Sequence, residues 1–430
     1  MQSFAVQVLT STLRYLARLT LLRYRPGIVG ITGTVGKTST KLAVAAVLRA
    51  DRRVRVSRGN LNNELGLPVT ILGEWKDKEL ALVSRDTPAG TRTLAKIFFW
   101  AKVISTAVFR LVVGKKEEYP EMLVLEYGAD RPEDIKKLLK IARPDTSIIT
   151  AIGYVPVHVE FYSGPDDVAR EKARLIEWLP SASFAILNYD DESVMNLKDR
   201  TRAHVMSYGF AKGADVRIKA FEHRVEGNEP RGVVFKLEYA GNSVPVRIEN
   251  TFGKVQAYAA SAAASVGLIF GMNLVKIAEA LKTYQPAHGR MELLVGIKDS
   301  RVIHDAYNAS PLSMHAALDT LKSLPGKKKI AVLGDMKELG KYSLDAHQAV
   351  GRLTAKDADM LITVGPHAKF IAEGAREAGM QKRNILCFDT AEDAQGYLPK
   401  LIRKGDLVLV KGSRAMHLEI LLDELRAVSL

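Results

Sequence analysis

The sequence predicts an α/β protein built from two successive units, each with a mainly parallel sheet. Three observations carry this. Short apolar runs alternate with helical stretches from residue 27 to residue 188, as when strands cross over through helices. The alternation restarts after Pro286–Gly289. The chain has 430 residues, 47% of them hydrophobic and 26% charged. That is enough for two to four domains at roughly 100–200 residues each, and unlike a disordered chain.

In chain order, residues 1–26 read as an amphipathic helix, with Leu9 and Leu13, and Arg14 and Arg18, each four apart. Its arginines are spread throughout, whereas a secretory signal puts its charge first. GIVGIT (27–32) is the first strand and Lys37–Arg49 a helix. Ile97–Val113 is apolar but broken by Lys102 and Arg110, and too short for an easy membrane span. This stretch and the N-terminal helix either pack on the body or lie on a membrane surface with their arginines toward the headgroups. Strands follow at 122–128, 147–153 and 184–188, with helices opening near Pro132 and covering Pro165–Leu179. Between 202 and 252, HVMSYGF, DVRIKAF, GVVFKLEYA and VPVRIEN predict an antiparallel extension, and Tyr258–Leu281 reads as alanine-rich helices. The second unit runs through RVIHDAY, a helix at Ser313–Leu324, KIAVLGD, a helix near Ala346–Ala355, MLITVG and DLVLVKGS. The expected division is 1–26, 27–286 and 287–430, with 95–116 as a second membrane-facing candidate.

A net charge of +14 suits polyanionic ligands: nucleotides, nucleic acid or anionic lipid. The single cysteine, Cys387, excludes a disulfide framework and a multi-cysteine zinc site, and points to a reducing cytoplasm.

The strongest motif is Gly30-Ile31-Thr32-Gly33-Thr34-Val35-Gly36-Lys37-Thr38-Ser39, between a strand and a helix. Counted from Gly30 it is one residue longer than G-x-x-x-x-G-K-[ST]; counted from Ile31 it fits, with isoleucine for the first glycine. Either way, backbone N–H groups of Gly33, Thr34, Val35, Gly36 and Ser39 can face phosphates at a helix N-terminus. Lys37 adds a positive charge, and the Thr38 hydroxyl can reach magnesium. The motif makes a nucleotide the expected ligand and the first unit a P-loop mononucleotide-binding domain, and the restarted strand–helix alternation makes the second a Rossmann-like α/β unit. Glu126, just past an apolar strand, lies where ligands bind in open α/β sheets, and a carboxylate there suits magnesium. On physics alone, His158 is an ordinary loop histidine; for Lys172, surrounded by Arg170, Glu171 and Arg174, a solvated helix lysine is the alternative to a functional one.

The phosphate loop resembles that of the Mur ligase family, and further segments agree. These are Gly59–Pro68 with Asn62 and Asn63, Leu125–Asp130, His158 and Lys172 within Thr150–Lys172, and His288-Gly289-Arg290-Met291-Glu292. Asp305–Pro311, Leu333–Gly340 and Lys411–Arg414 resemble one branch of the family most. The resemblance spans about residues 27–425. It implies an ATP-dependent carbon–nitrogen ligase of peptidoglycan precursor synthesis that adds D-alanyl-D-alanine to a UDP-N-acetylmuramoyl tripeptide through an acyl phosphate. It also implies catalytic roles for Lys37, Glu126, His158 and Lys172, and magnesium held by Thr38, Glu126, His158 and a carbamylated Lys172. Arg290 would reach the ATP phosphates and Asp305 the ribose, and Gln256, in the ATP-binding set, would replace one amide of a family segment whose last asparagine, near the adenine, is Ala259 here. Asn62, Asn63, Asn308, Lys411 and Ser413 would bind substrate. The implied protein is a cytoplasmic monomer acting on small molecules, with no nucleic-acid partner.

Two departures stand out. Ala259 cannot hydrogen-bond adenine, and only about 26 residues precede the first strand where the branch has a UDP-binding domain. Basic residues of the N-terminal helix or of 110–116 would then hold the UDP moiety, or bring the chain to the inner face of the membrane. The rivals are a folylpolyglutamate-synthase-like ligase, whose motif differs from DAYNASP, and a non-catalytic nucleotide-binding scaffold. The strand-end position of Glu126 and the loop position of Lys37 lead to the expectation that alanine at either abolishes ligation with the fold intact.

Overall fold

A computed structural model describes residues 4–59, 61–83 and 93–427. Residues 1–3 of the N-terminal helix and Asn60 of the asparagine loop lie outside them. The first unit carries strands β1 (Gly27–Thr32), β2 (Val54–Val56), β3 (Met122–Glu126), β4 (Thr146–Ile149), β5 (Phe184–Asn188), β6 (His204–Gly209), β7 (Val216–Glu226), β8 (Glu229–Tyr239) and β9 (Asn242–Glu249). Its main helices are α1 (Phe4–Tyr24), α2 (Lys37–Arg49), α3 (Gly66–Leu72), α4 (Thr93–Val112), α5 (Pro165–Glu177), α6 (Lys254–Ile269) and α7 (Leu274–Leu281). The second unit holds β10 (Glu292–Val295), β11 (Arg301–His304), β12 (Lys329–Gly334), β13 (Met360–Val364), β14 (Ile385–Phe388) and β15 (Leu407–Lys411). Helices α8 (Pro311–Ser323), α9 (Ser343–Asp357) and α10 (Lys369–Glu377) alternate with them.

The first sheet has the order β2-β3-β1-β4-β5-β6-β7-β8-β9. It is parallel from β2 through β7, and antiparallel from β7 to β9. The antiparallel extension expected over 202–252 therefore begins one strand late, because β6 joins β5 in parallel. Covered on both faces, β1 and β3 read as mainly apolar runs, and all of β4 (Thr146–Ile149), its Thr and Ser included, is buried. One face packs on α2 and the alanine-rich α6, whose small side chains let the helix approach closely. The other is covered by α1, α3 and α4. The second sheet has the order β10-β11-β15-β12-β13-β14, parallel except for the β10–β11 pair. Strands β2, β10 and β14 have no counterpart in the sequence reading; each is only three or four residues long.

Helices α1 and α4 pack on the body through Leu13, Leu16, Ala17, Phe99, Val103 and Ala107. Tyr24 stacks on Tyr119 with ring centres 4.4 Å apart, and its hydroxyl donates to the Arg110 carbonyl. Their outer faces still expose Phe4, Tyr15, Leu22, Leu94, Phe98, Phe109 and Val112. Two of the arginines expected to face headgroups, Arg14 and Arg110, are paired within the chain, and so is Lys102. Arg14 pairs with Glu64 at 2.9 Å, Lys102 with Glu79 at 2.6 Å, and Arg110 donates to the Leu72 carbonyl. Among the described residues, no helix is long and apolar enough to cross a membrane.

Candidate active site

The carboxyl ends of β1, β3 and β4 converge, and the chain between β1 and α2 wraps there as a phosphate loop. Gly33, at φ +145°, is forced to be glycine: a Cβ would stand 2.0 Å from Thr150 Oγ1. The loop is tied down from β4. Thr34 N–H and Val35 N–H both donate to the Ala151 carbonyl, and Thr150 Oγ1 donates to the Val35 carbonyl at 2.7 Å. Gly36, also left-handed at φ 89°, opens α2 without a side-chain cap. Its first N–H groups therefore stay available to an anion.

Glu126, the last residue of β3, is buried and surrounded by donors. Thr38 Oγ1 donates to it at 3.2 Å and Asn62 Nδ2 at 3.3 Å, and Lys41 Nζ lies 3.1 Å away. Burial alone would raise its carboxyl, but Lys41, Lys37 and Arg290 overcome that and hold it at about 2. Lys41 was not singled out by the sequence reading. It sits one helical turn after Lys37, at i+4, which puts both on the same face of α2. Lys37 Nζ donates back to the Gly33 carbonyl at 2.7 Å. Its pKa is lowered by burial, against the pull of Glu126 and with the help of Arg290.

Lys172 is 2% exposed on α5, not solvated. Burial, with a contribution from Lys37, brings its ammonium down to about 7. His158, in the left-handed region at φ 71°, stands between Asp130, 3.4 Å from Nε2, and Glu338 of the second unit. That unit also supplies Arg290, stacked 4.2 Å over the Tyr307 ring, and Asp305, which pairs with Lys411 at 2.6 Å and accepts the Met291 N–H.

These groups line one cavity of about 200 Å3 at the junction of the units. It gathers Gly33–Ser39, Asn62, Glu126, His158, Lys172, Gln256, Arg290, Asp305, Asn308 and Lys411, together with Asp130 and Tyr307, to which the sequence reading gave no role. Asn63 and Ser413 do not line it. Asn63 Oδ1 accepts the Leu65 and Gly66 N–H groups at the start of α3, and Ser413 Oγ accepts the Lys337 N–H. Gln256 Oε1 accepts the Tyr284 hydroxyl at 2.6 Å, and its side chain lines the cavity beside the phosphate loop. Ala259 is buried in the core. A second cavity of about 900 Å3 opens on the other side of Val35 and Gly36, bordered by Tyr154, Val255, Tyr258, Leu312 and His315.

The Glu126 geometry changes one expectation. Glu126→Ala strands the Lys41 ammonium, 1% exposed, without its partner. The expected cost is about 3–5 kcal/mol of stability, as for breaking a buried ion pair from one side. Urea unfolding checks this. Lys41→Met added to Glu126→Ala should recover part of the loss; wild-type stability in the single variant would show the pair to be unimportant.

Known proteins show the same arrangement of units. The Mur ligase middle domain matches residues 31–84 and 105–267, and the Mur ligase, glutamate ligase domain matches 289–414. The UDP-N-acetylmuramoyl-tripeptide–D-alanyl-D-alanine ligase of Bacillus subtilis is 29% identical, over 96% of this chain and 79% of that one. A crystal structure of MurF from Acinetobacter baumannii superposes with a TM-score of 0.76 at 26% identity, covering 96% of this chain and 79% of that one. MurF ligase from Thermotoga maritima, in complex with ADP, gives 0.75 at 25% identity, covering 96% and 83%. With its phosphate loop, its buried carboxylate and both of its sheet-bearing units matched in this way, the chain belongs to the Mur ligase family.

Proposed function

We propose that the chain is an ATP-dependent, ADP-forming ligase of peptidoglycan precursor synthesis, joining D-alanyl-D-alanine to a UDP-N-acetylmuramoyl tripeptide. The observation that carries this is the single cavity where Lys37, Thr38, Glu126 and Lys172 of one unit meet Arg290 and Asp305 of the other. The relatives' printed activity supports the substrates. The division at 286/287 follows: one unit holds the phosphates, and the other closes over them.

A carboxylate oxygen of the tripeptide attacks the γ-phosphorus and ADP leaves, giving an acyl phosphate. The dipeptide's neutral amine then attacks the acyl carbon, and phosphate departs as the amide forms. Such transfers need positioning and charge neutralisation more than covalent help. Lys37 and Arg290 place positive charge at the phosphates, and the loop N–H groups orient them. Oxygen donors fit magnesium here: the Thr38 hydroxyl and the Glu126 carboxylate stand 3.2 Å apart, with Asp130 beside His158. Magnesium bound with ATP would neutralise phosphate charge, held by Thr38 and Glu126, with His158 and Lys172 at a second position. Lys172 suits carbamylation, which needs a neutral amine, because burial brings it to about 7. Asn62 and Asn308 then orient substrate, and Lys411 acts by fixing Asp305 and the Asn308 carbonyl. The base of ATP sits in the larger cavity, against Val255 and Tyr258, whose hydroxyl donates to Asp190 at 2.8 Å. Release of phosphate from ATP by the purified chain, dependent on both substrates, tests the reading. Phosphate release with a folate and glutamate instead would favour the folylpolyglutamate-synthase-like rival, and none with any pair the scaffold.

We further infer a cytoplasmic monomer that touches the inner face of the membrane through α1 and α4. Phe4 and Phe98 are 82% and 73% exposed there, flanked by exposed Arg18, Arg25 and Lys115, a match for apolar chains beneath anionic headgroups. The full chain should float with phosphatidylglycerol vesicles at low salt and less so at high salt, because headgroup attraction is screened within roughly 10 Å at 0.1 M. Phe98→Ser with Phe109→Ser should abolish flotation. A chain that stays in solution, or a double variant that floats equally, would reject the contact.

A further inference from the structure

Outside the phosphate cavity, His288, Glu292 and His304 bring three metal-ligand side chains together, with donor atoms all within 4.8 Å of one another. Among the described residues no other group of three His, Cys, Asp or Glu comes together in this way. The backbone builds the cluster. Glu292 opens β10 and His304 ends β11, and the two are directly opposed in the antiparallel pair. Gly289, left-handed at φ +71°, turns the connection between the units back over the sheet so that its Cα faces the His304 ring. A Cβ there would stand 3.0 Å from Nε2. His288 Nδ1 lies 2.7 Å from Glu292 Oε2, which also accepts the Gly289 N–H at 3.1 Å. The two imidazoles meet edge to face at 5.1 Å. His304 is buried and His288 is largely exposed, so the cluster has a fixed floor and an open solvent side.

We propose that His288, Glu292 and His304 form a binding site for a zinc-class divalent cation, which ties the connection between the two units to the first two strands of the second. Two imidazoles and one carboxylate suit zinc and not magnesium, which favours oxygen donors. Zinc–ligand bonds of about 2.0–2.1 Å put tetrahedral ligands roughly 3.3 Å apart. To reach that spacing the 2.7 Å contact between His288 and Glu292 opens slightly and the wider separations in the cluster, all within 4.8 Å, close around the ion. The fourth position, on the solvent side, takes water. Arg290 lies between two of the ligands in sequence, so the ion fixes the backbone from which that guanidinium reaches the phosphate cavity.

The test uses the full chain with excess magnesium and ADP, so that the nucleotide site is filled. Cobalt(II) serves as the visible-absorption probe and zinc as the competitor in a calorimetric titration. One equivalent of zinc should bind and displace cobalt with four-coordinate absorption, and amide exchange over residues 286–292 should slow. His288→Ala and Glu292→Gln should each weaken binding by roughly tenfold or more and remove the slowing. His288 is exposed, so its variant keeps the fold. The binding readout stands apart from ligase activity. No zinc uptake by the wild-type chain, or equal uptake by both variants, would overturn the site.

Discussion

Lys37→Ala should lower ADP formation by about 10²–10³-fold or more, the loss expected when one pre-positioned charge is taken from a transferring phosphoryl group. Thermal stability should change little. Lys37 Nζ donates to the Gly33 carbonyl, a backbone group of the loop it serves, and the buried Glu126 keeps Lys41, Thr38 and Asn62 as partners without it. Activity within a few fold of wild type, measured as ADP release with both substrates present, would remove Lys37 from the phosphate site. Loss of activity together with loss of fold would show that the lysine holds the loop and does not serve the nucleotide.

Lys172→Ala should be equally severe, and here the expected result is more distinctive. If the amine carries a carbamate, the alanine variant leaves space where a carboxylate stood, and formate or acetate should restore part of the activity. The wild-type chain should also depend on carbon dioxide in a pH-dependent way. The folded-state pKa of Lys172 is depressed to about 7, so above pH 7 the amine is neutral and can take up carbon dioxide. Below pH 7 it gains a proton and carbamylation declines. Activity in carbonate-free buffer should therefore fall as pH drops through 7 and recover on adding bicarbonate. A carbamate signal from ¹³C-bicarbonate should appear in the wild type and vanish in the variant. An unmodified Lys172 in fully active protein would contradict the assignment.

What could be read from the sequence depended on how local its signal was. GIVGIT, FAILN and the Lys37–Arg49 helix fall at their observed bounds, because buried parallel strands and a helix opened by Gly-Lys-Thr leave contiguous marks. Strands β2, β10 and β14 are short, and they are defined by the partners they pair with. The parallel joining of β6 to β5 is likewise a matter of long-range pairing that its composition does not record. Most of the candidate site was visible as motifs, yet its electrostatics were not. Lys41 is one of two lysines near the loop in sequence, with Lys37, and only the fold shows it buried against Glu126. The charged neighbours Arg170, Glu171 and Arg174 left a solvated Lys172 as an alternative, but Arg174 turns to Glu133 and Glu171 while Lys172 is buried. Asn63 and Ser413 show the reverse: residues in site motifs whose side chains satisfy backbone N–H groups.

The most direct test of the ligase reading follows one oxygen atom. The UDP-N-acetylmuramoyl tripeptide is prepared with ¹⁸O in its terminal carboxylate and turned over with ATP and D-alanyl-D-alanine. If that carboxylate attacks the γ-phosphorus at the cavity between the units, the released phosphate carries one ¹⁸O, and its mass shows it. Phosphate without the label, or product formed without phosphate release, would contradict the acyl-phosphate route and with it the proposed roles of Lys37, Arg290 and the Glu126 site.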